Sequence, residues 1–300
     1  MPGKKKHTEK KSAEKGGATA RLQVRKTYKL FIGGAFPRSE SGRSYVVNDA
    51  EGRFLANASH ASRKDVRDAV AAARKAFGGW SGRTPYNRGQ ILYRIAEMLE
   101  GRRAQFTAEL RDTGLSREAA EAEADAAVDR WVWYAGWADK IAQVAGAVNP
   151  VAGPFLNVSS PEPTGVVGVL APTGAPLLGL VSVLAPAIVT GNTVVAVADS
   201  PLVAVSFAEV LATSDLPGGV VNLLTGPYAE LAPWLAGHMD VNAIDLAGAS
   251  EDLAADCERE AAGNLKRVLR PSMTDWSAEP GTSRMTALLE TKTVWHPIGV

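Results

Sequence analysis

Residues 162–226 alternate between short valine-rich runs and longer alanine- and leucine-rich segments, and this alternation limits the folds open to the chain. The runs, each bounded by glycine or proline, lie at 165–170, 193–198 and 220–225, and the longer segments at 175–189 and 201–213. Such runs are typical of buried β-strands, and the longer segments are typical of helices. Because parallel strands need crossover connections, the pattern predicts a parallel sheet with helices on both faces.

The alternation continues towards the C-terminus and is preceded by helical segments. Downstream, the pattern predicts a helix at 229–236, a strand at 242–246, a helix at 250–262 and a strand at 266–269. Upstream, it predicts strands around a Gly-Gly turn at 28–36, a strand at 44–47, helices at 62–77, from Pro85 and at 116–145, and a hairpin at 144–160. The predicted fold class is α/β, a Rossmann-like doubly wound parallel sheet with an N-terminal helical layer.

Three motifs in the alternating stretch point to a known family. They are EPTGVVGVLAP at 162–172, TGNTVV at 190–195 and LPGGVVNLLTG at 216–226. Together they resemble the cofactor-binding domain of the NAD(P)-dependent aldehyde dehydrogenase family. The likeness extends over nearly the whole chain after residue 28, and it implies NAD or NADP as the cofactor.

The resemblance implies a division of the chain into six parts. These are a basic tail at 1–28, a helical part at 29–143, an oligomerisation hairpin at 144–160, the Rossmann-like domain at 161–270, a linker at 271–284 and a C-terminal oligomerisation strand at 285–300. In this family the hairpin builds the oligomer, and the last strand extends the sheet of a neighbouring subunit. A homo-oligomer, or a hetero-oligomer with a full-length aldehyde dehydrogenase, is therefore expected.

Composition limits the binding partners and the cellular compartment expected for the protein. The net charge of +1 argues against a dedicated nucleic-acid surface, and no apolar run reaches the roughly 18 residues that span a bilayer. The single cysteine, Cys257, excludes an internal disulfide and favours a reducing cytoplasm. Residues 1–28 carry nine Lys/Arg and two Glu, so we expect a disordered, solvated tail, with contact to a polyanion or a partner as the alternative.

The chemistry that the resemblance implies needs a cysteine thiolate that attacks the aldehyde, a glutamate that assists hydrolysis of the thioester, and fixed donors for the oxyanion. In the family the cysteine belongs to a separate domain after the cofactor-binding unit, and here the linker at 271–284 takes the place of that domain. Cys257 lies in a predicted helix beside Asp256 and Glu258, whose charges raise a thiol pKa. We therefore predict no catalytic residue in this chain and no metal site.

The family motifs also differ at positions that contact the cofactor. The family's Pro-Trp-Asn aligns with Pro172-Thr173-Gly174, which removes the amide of the oxyanion donor. Val197 and Ser200 stand where the family has the lysine and glutamate that hold the ribose. Near Gly248, the serine of the family's pyrophosphate turn is replaced by Ala249, and Glu251 would repel a phosphate. The residues predicted to contact a cofactor are Pro172, Thr173, Gly174, Gly226 and Gly248.

Three functions are compatible with these patterns. The leading hypothesis is a catalytically incompetent family member that serves as a structural or regulatory subunit of a full-length relative. The second is an NAD(P)-dependent oxidoreductase acting on aldehydes, with a nucleophile from another chain or from Cys257. The third is a nucleotide-binding module without catalysis, in which Gly248 and the helix that follows it accept a phosphate.

Overall fold

The computed structural model describes residues 26–299, and a small three-stranded sheet comes first along the chain. Its strands are β1 (Thr27–Tyr28), β2 (Ser44–Asn48) and β3 (Phe54–Ser59). The predicted pair of strands around the Gly-Gly turn at 28–36 is reduced to one antiparallel bridge between Ile32 and Ala35, and Phe31 exchanges two backbone hydrogen bonds with Leu223. Of the predicted tail, residues 1–25 lie outside the described residues, whereas β1 pairs with β3.

A helical layer follows. Its members are α1 (Arg63–Ser81), α2 (Pro85–Glu100), α3 (Arg103–Asp112), α4 (Arg117–Ala135) and α5 (Ile141–Ala145). Ser62 caps α1 through a capping box with Asp65, as its position before the apolar stripe predicts. The prediction of one helix at 116–145 is wrong, because α4 ends at Gly136 and the chain turns before α5. The sequence analysis also missed α3 and β3.

The predicted hairpin and the alternating unit come next. The hairpin consists of β4 (Ala147–Asn149) and β5 (Phe155–Pro163). The unit comprises β6 (Val166–Leu170), α6 (Leu178–Val189), β7 (Thr193–Ala198), α7 (Pro201–Ala212), β8 (Val221–Thr225), α8 (Tyr228–Ala236), β9 (Ala243–Asp245), α9 (Glu251–Ala261), a 3-10 turn (Ala262–Asn264) and β10 (Arg267–Leu269). All five strands run parallel, which confirms the predicted fold class.

Side chains on the two faces of the five-stranded sheet form two cores. On one face the sheet packs against α2, α4, α6 and α7, where the Trp131 and Phe207 rings stack at 5.9 Å. On the other face it packs against α1, α8 and α9, with Val70 and Leu235 fully buried. Every residue of β6, β7 and β8 is buried, as the valine-rich runs predict for strands covered on both faces.

The last segment of the chain consists of the linker and the C-terminal strand. Residues 270–288 contain a short helix, α10 (Ser283–Ala287), and lead into β11 (Leu289–Pro297). The linker at 271–284 was predicted as a surface segment, and each of its residues is exposed or half-buried. Burial against the first core begins after it, at Met285 and Leu288. β11 was expected to extend a neighbouring subunit's sheet. Within this chain all nine residues of β11 pair with β5, giving the order β11-β5-β4, so β11 is an edge strand. Pairing of β11 with a neighbouring subunit stays a prediction.

Candidate functional site

The order of the five parallel strands places the candidate site. In the sheet the order is β10-β9-β6-β7-β8, so the chain runs outwards from β6 in one direction and then returns to build β9 and β10 on the other side. In doubly wound sheets, ligands bind at the carboxyl ends of the strands where the direction reverses. The crevice between the ends of β6 and β9 is therefore the place where a nucleotide would be expected.

Four of the five predicted cofactor residues lie at this point. Pro172, Thr173 and Gly174 follow β6, and Gly248 follows β9. The Gly248 N–H donates to the Leu170 carbonyl oxygen at 2.9 Å, which joins the two loops directly. Whether these residues contact a cofactor stays a prediction.

Gly226, the fifth predicted residue, follows β8 at the far edge of the sheet. Its φ of +148° is in the region that favours glycine, and a Cβ there would meet Leu231 and His60 at 3.2 and 3.3 Å. This turn directs the chain into α8, which begins at Tyr228. In this structure Gly226 therefore sets the direction of α8 and packs against the start of α1.

The loops after β6 and β9 are packed against each other. A Cβ at Gly248 would lie 2.0 Å from the Ala171 carbonyl oxygen, so only glycine fits there. By contrast, a Cβ at Gly174 would have no atom within 4 Å, and Thr173 and Gly174 are exposed. The crevice is tightly filled beside the strands and opens only towards its outer rim.

Tyr228 fills the same place from the side of α8. Its hydroxyl donates to the Ala171 carbonyl oxygen at 2.5 Å, and its ring would lie 3.0 Å from a Cβ at Gly248. Burial, together with the nearby Asp199 charge, raises the pKa of the Tyr228 phenol, so the hydroxyl stays a donor at neutral pH. The sequence analysis missed this residue because its position depends on the turn at Gly226.

The first turn of α6 is also occupied by a side chain of this protein. The backbone N–H groups of Leu177 and Leu178 both donate to Glu123 Oε1, at 2.8 and 3.1 Å. Glu123 lies on α4, and burial raises the pKa of its carboxyl group. Its signal in the sequence is an acidic residue next to the buried alanine stripe of α4, formed by Ala120, Ala124 and Ala127.

The first turn of α9 is capped internally as well. The Ser250 hydroxyl accepts from the Leu253 N–H at 3.4 Å, as predicted for this serine. Glu251 and Asp252 follow in the first turn. Two carboxylates at this helix end favour the macrodipole and disfavour a bound phosphate.

A buried ion pair connects the β9 end to the last segment of the chain. Asp245, the final residue of β9, is 1% exposed, and its carboxylate pairs with the Arg284 guanidinium, which lies over the Trp276 ring at 5.0 Å. Burial raises the pKa of Asp245, while Arg284 acts in the opposite direction. Asp245 Oδ1 also accepts from the Ala247 N–H at 3.1 Å. The pair therefore fixes residues 270–288 to the loop that leads to Gly248.

Arg130 holds the same segment from the side of α4. Its guanidinium is buried and donates to Ser182 Oγ at 2.7 Å and to the Trp276 and Ala278 carbonyl oxygens, both at 2.9 Å. Two carbonyl oxygens of an irregular segment thus receive charged hydrogen bonds from a helix in the core. The segment 270–284 is thus exposed or half-buried, but it is anchored to the core at these two carbonyl oxygens.

Cys257 does not have the environment of a nucleophile. The side chain lies on α9, is fully buried in the second core, and is the chain's only cysteine. Burial, with the charges of Asp256 and Glu260, raises its pKa to about 11. A reactive cysteine needs a lowered pKa and access to solvent, and Cys257 has neither.

The three-stranded sheet of β4, β5 and β11 is a second candidate site. Val148, Val158 and Val294 lie side by side across the three strands, and Val148 and Val294 are 71% and 48% exposed. Leu156, two residues before Val158 on the same face, is also exposed. We call these four residues the valine row.

The opposite face of this sheet is polar in the middle. Asn149 donates to Asn157 Oδ1 at 2.6 Å and to Ser159 Oγ at 2.8 Å, and Ser159 bonds to Thr293 at 2.8 Å. The polar groups on this face satisfy one another. In the valine row, Val158 is half-buried at the centre, whereas Val148, Leu156 and Val294 are open to solvent.

Among residues 26–299, no cluster of side chains could hold a metal ion, and no helix is long and apolar enough to cross a membrane. Five of the cavities in this part of the chain have volumes of about 210–680 Å³. None of them is lined by residues 171–175, by Gly226 or by 246–250. The carboxyl ends of β6 and β9 are thus not the site of any of these cavities.

Comparison with known proteins agrees with this geometry. The profile of the aldehyde dehydrogenase family matches residues 36–270. A cytosolic 10-formyltetrahydrofolate dehydrogenase from Mus musculus is 34% identical over 262 residues, which cover 84% of this chain and 29% of the mouse protein. An aldehyde dehydrogenase from Aspergillus niger is 34% identical over 245 residues, which cover 80% of this chain and 48% of the fungal protein. The chain thus spans half or less of each of these relatives.

Solved structures are similar over the same region. An aldehyde dehydrogenase from Bacillus cereus, solved as a complex with NAD+, superimposes with a TM-score of 0.76 and is 29% identical. The match covers 81% of this chain and 50% of that chain. The parallel sheet with its helices is therefore shared with a protein whose structure contains the dinucleotide.

Proposed function

Since the chain belongs to the aldehyde dehydrogenase family, we propose that it is a non-catalytic subunit that assembles with other chains of this family through its three-stranded sheet. The observation that carries the proposal is the valine row. A sheet of three strands needs a covered apolar face for stability in water, and here part of that face is exposed. A second sheet, or the body of another subunit, would bury it.

The residues available for catalysis support a subunit without its own activity. The family chemistry needs a thiolate, and Cys257 is buried with its pKa raised to about 11. Between β10 and β11 the chain has residues 270–288 only, where the family resemblance places the domain with the cysteine. No other cysteine is present in the 300 residues to replace it.

The expected partner is a chain with a corresponding sheet, either a second copy or a full-length aldehyde dehydrogenase. We expect the tagged chain, co-expressed with a full-length relative from the same cells, to elute as a complex whose mass is measured by light scattering. In the Val294→Lys variant we expect the complex to dissociate, because a charge in the valine row would have to be buried without a partner.

Val46→Lys provides the matched control. Val46 is also a strand valine and is 57% exposed, but it lies on β2 in the other small sheet. We expect this variant to assemble like the unmodified chain. A monomer at high concentration with no affinity for any full-length relative, or equal effects of the two substitutions, would refute the proposal.

The lack of activity is tested separately through Cys257. At pH 8 we expect a thiol reagent to label the folded chain on the order of a hundredfold more slowly than the urea-unfolded chain, because little thiolate forms when the pKa is about 11. We also expect no aldehyde-dependent formation of NADH, with or without Cys257→Ala. NADH formation that disappears in this variant would instead establish an oxidoreductase.

A further inference from the structure

The fold and the NAD+ complex of the Bacillus cereus relative make a nicotinamide dinucleotide the group expected in the crevice between β6 and β9. Three requirements can be compared with the residues present. A pyrophosphate needs free backbone N–H groups at a helix start, the backbone must leave room beside the strands, and the surrounding charge must tolerate an anion.

The first requirement is not met at α6. The helix after the first strand of a doubly wound fold is the usual anion site, because its first N–H groups have no partner within the helix. Here the Leu177 and Leu178 N–H groups already donate to one oxygen of Glu123, at 2.8 and 3.1 Å. The carboxylate takes the position of a phosphate oxygen, and it is held there by α4.

The second requirement is not met beside Gly248. The Gly248 backbone is so close to Ala171 that a Cβ would lie 2.0 Å from the carbonyl oxygen. The Tyr228 ring covers both residues, and its hydroxyl is bonded to Ala171. A phosphate would have to displace this ring and break its hydrogen bond.

The third requirement is not met at α9. The first-turn N–H group of Leu253 is bonded to the Ser250 hydroxyl, and Glu251 and Asp252 stand beside it. Both carboxylates repel an anion that approaches from solvent. At the two helix starts that flank the crevice, α6 and α9, side chains of the chain itself therefore stand where an anion would bind.

We infer that the dinucleotide crevice is closed by side chains of the chain itself, with Glu123 in place of a phosphate on α6 and Tyr228 across Gly248. The residues present do not fit NAD or NADP, although a relative with this fold was solved as a complex with NAD+. This inference depends on contacts at the carboxyl edge of the sheet and holds whether or not the chain assembles through the valine row.

The test is isothermal titration calorimetry with the full-length chain and two double variants of it. The unmodified chain is titrated with NAD and NADP, and we expect no binding tighter than about 10 mM. The variant with Glu123→Ala and Tyr228→Ala frees the α6 amides and removes the ring. We expect it to bind NAD at least about tenfold more tightly than the unmodified chain.

A variant with Glu123→Gln and Tyr228→Phe is the matched control. It loses the same charge and the same hydroxyl, but it keeps an oxygen acceptor for Leu177 and Leu178 and keeps the ring. We expect this variant to stay closed. Binding of NAD by the unmodified chain at submillimolar concentration would overturn the inference, and so would equal affinities in a folded double-alanine variant and in the control.

If circular dichroism shows that the double-alanine variant is unfolded, hydrogen exchange of the unmodified chain tests the inference instead. Hydrogen exchange of the Leu177 and Leu178 amides should be slow at neutral pH, and millimolar inorganic pyrophosphate should not change it. Fast exchange at both amides, or protection that grows with added pyrophosphate, would show that the helix start is free to bind anions.

Discussion

The carboxyl edge of the five-stranded sheet and the three-stranded sheet of β4, β5 and β11 differ in how their surfaces are satisfied. At the carboxyl edge, the chain provides a carboxylate for the α6 amides, a ring over Gly248 and an arginine for Asp245. In the three-stranded sheet, the polar face satisfies itself but the valine row stays exposed. The groups at the carboxyl edge are thus bonded within the chain, whereas the valine row offers a surface that a protein could cover.

The two surfaces differ in how much free energy each would gain by binding a ligand or a partner. A polar group that is already bonded internally gains little from a ligand, because the new hydrogen bond replaces an existing one. An exposed apolar side chain gains about 25 cal/mol for each Å² that a partner covers. On this comparison, the physical chemistry of the chain favours a protein partner over a nucleotide.

The largest effect is expected from Gly248→Ala. The new methyl group would meet the Ala171 carbonyl oxygen at 2.0 Å, so the two loops must separate. We expect the free energy of unfolding to fall by about 2–3 kcal/mol, as for other overpacked sites. Urea denaturation measures this. Gly174→Ala, with no atom within 4 Å of the added carbon, should leave the midpoint unchanged, and similar midpoints in both variants would mean that the edge is not tightly packed.

The next effect is expected from Arg130→Ala. This change leaves the Trp276 and Ala278 carbonyl oxygens without their donor and should lower the free energy of unfolding by about 2 kcal/mol. Limited proteolysis should then cleave residues 270–282 faster than in the unmodified chain. Arg117→Ala serves as the control, because Arg117 is an exposed arginine on the same helix. Equal cleavage of the two variants would mean that Arg130 does not anchor residues 270–282.

A smaller, pH-dependent effect is expected from Glu123→Gln. Because burial raises the pKa of Glu123 in the folded chain, the folded state binds more protons than the unfolded state just above the usual glutamate range. The unmodified chain thus loses stability as pH rises through this window, and the variant does not. Thermal unfolding midpoints are measured between pH 4 and pH 8. As pH rises, the midpoint of the variant should increase relative to that of the unmodified chain. A constant difference across this range would mean that the carboxylate is not buried.

The smallest effect on folding is expected from Val294→Lys. The side chain is already half exposed, so the free energy of unfolding of the isolated chain should change by no more than about 0.5 kcal/mol. Urea denaturation at low protein concentration measures this. A loss as large as that of Gly248→Ala would show that the valine row is covered within the chain, which would remove the contrast between the two regions.

The sequence predicted the parallel sheet well, because its signal is local. Valine-rich runs bounded by glycine or proline correspond to β6, β7 and β8, and Ser62 caps α1 as expected. The prediction of one helix over 116–145 was wrong because the pattern of Ala and Trp continues past Gly136, where the backbone turns.

The closed crevice could not be predicted from the sequence. Glu123 lies more than 50 positions before the amides that it binds, and Tyr228 reaches Ala171 from another crossover. These contacts depend on how α4 and α8 pack on the sheet, which periodicity does not report. The family resemblance located the edge through Pro172 and Gly248, whereas the groups that fill it are known only from the fold.

Asn192 joins the body of the protein to the three-stranded sheet. Its side chain accepts from the Gly165 N–H at 2.8 Å and donates to the Leu288 carbonyl oxygen at 2.9 Å, so this buried amide binds the residues next to the ends of β5 and β11. A second connection is made by Arg267 on β10, which donates to Glu290 on β11 at 2.6 and 2.7 Å. A force that a bound subunit applied to the three-stranded sheet would therefore reach the body at two places, at Asn192 beside the starts of β6 and β7 and at Arg267 on β10.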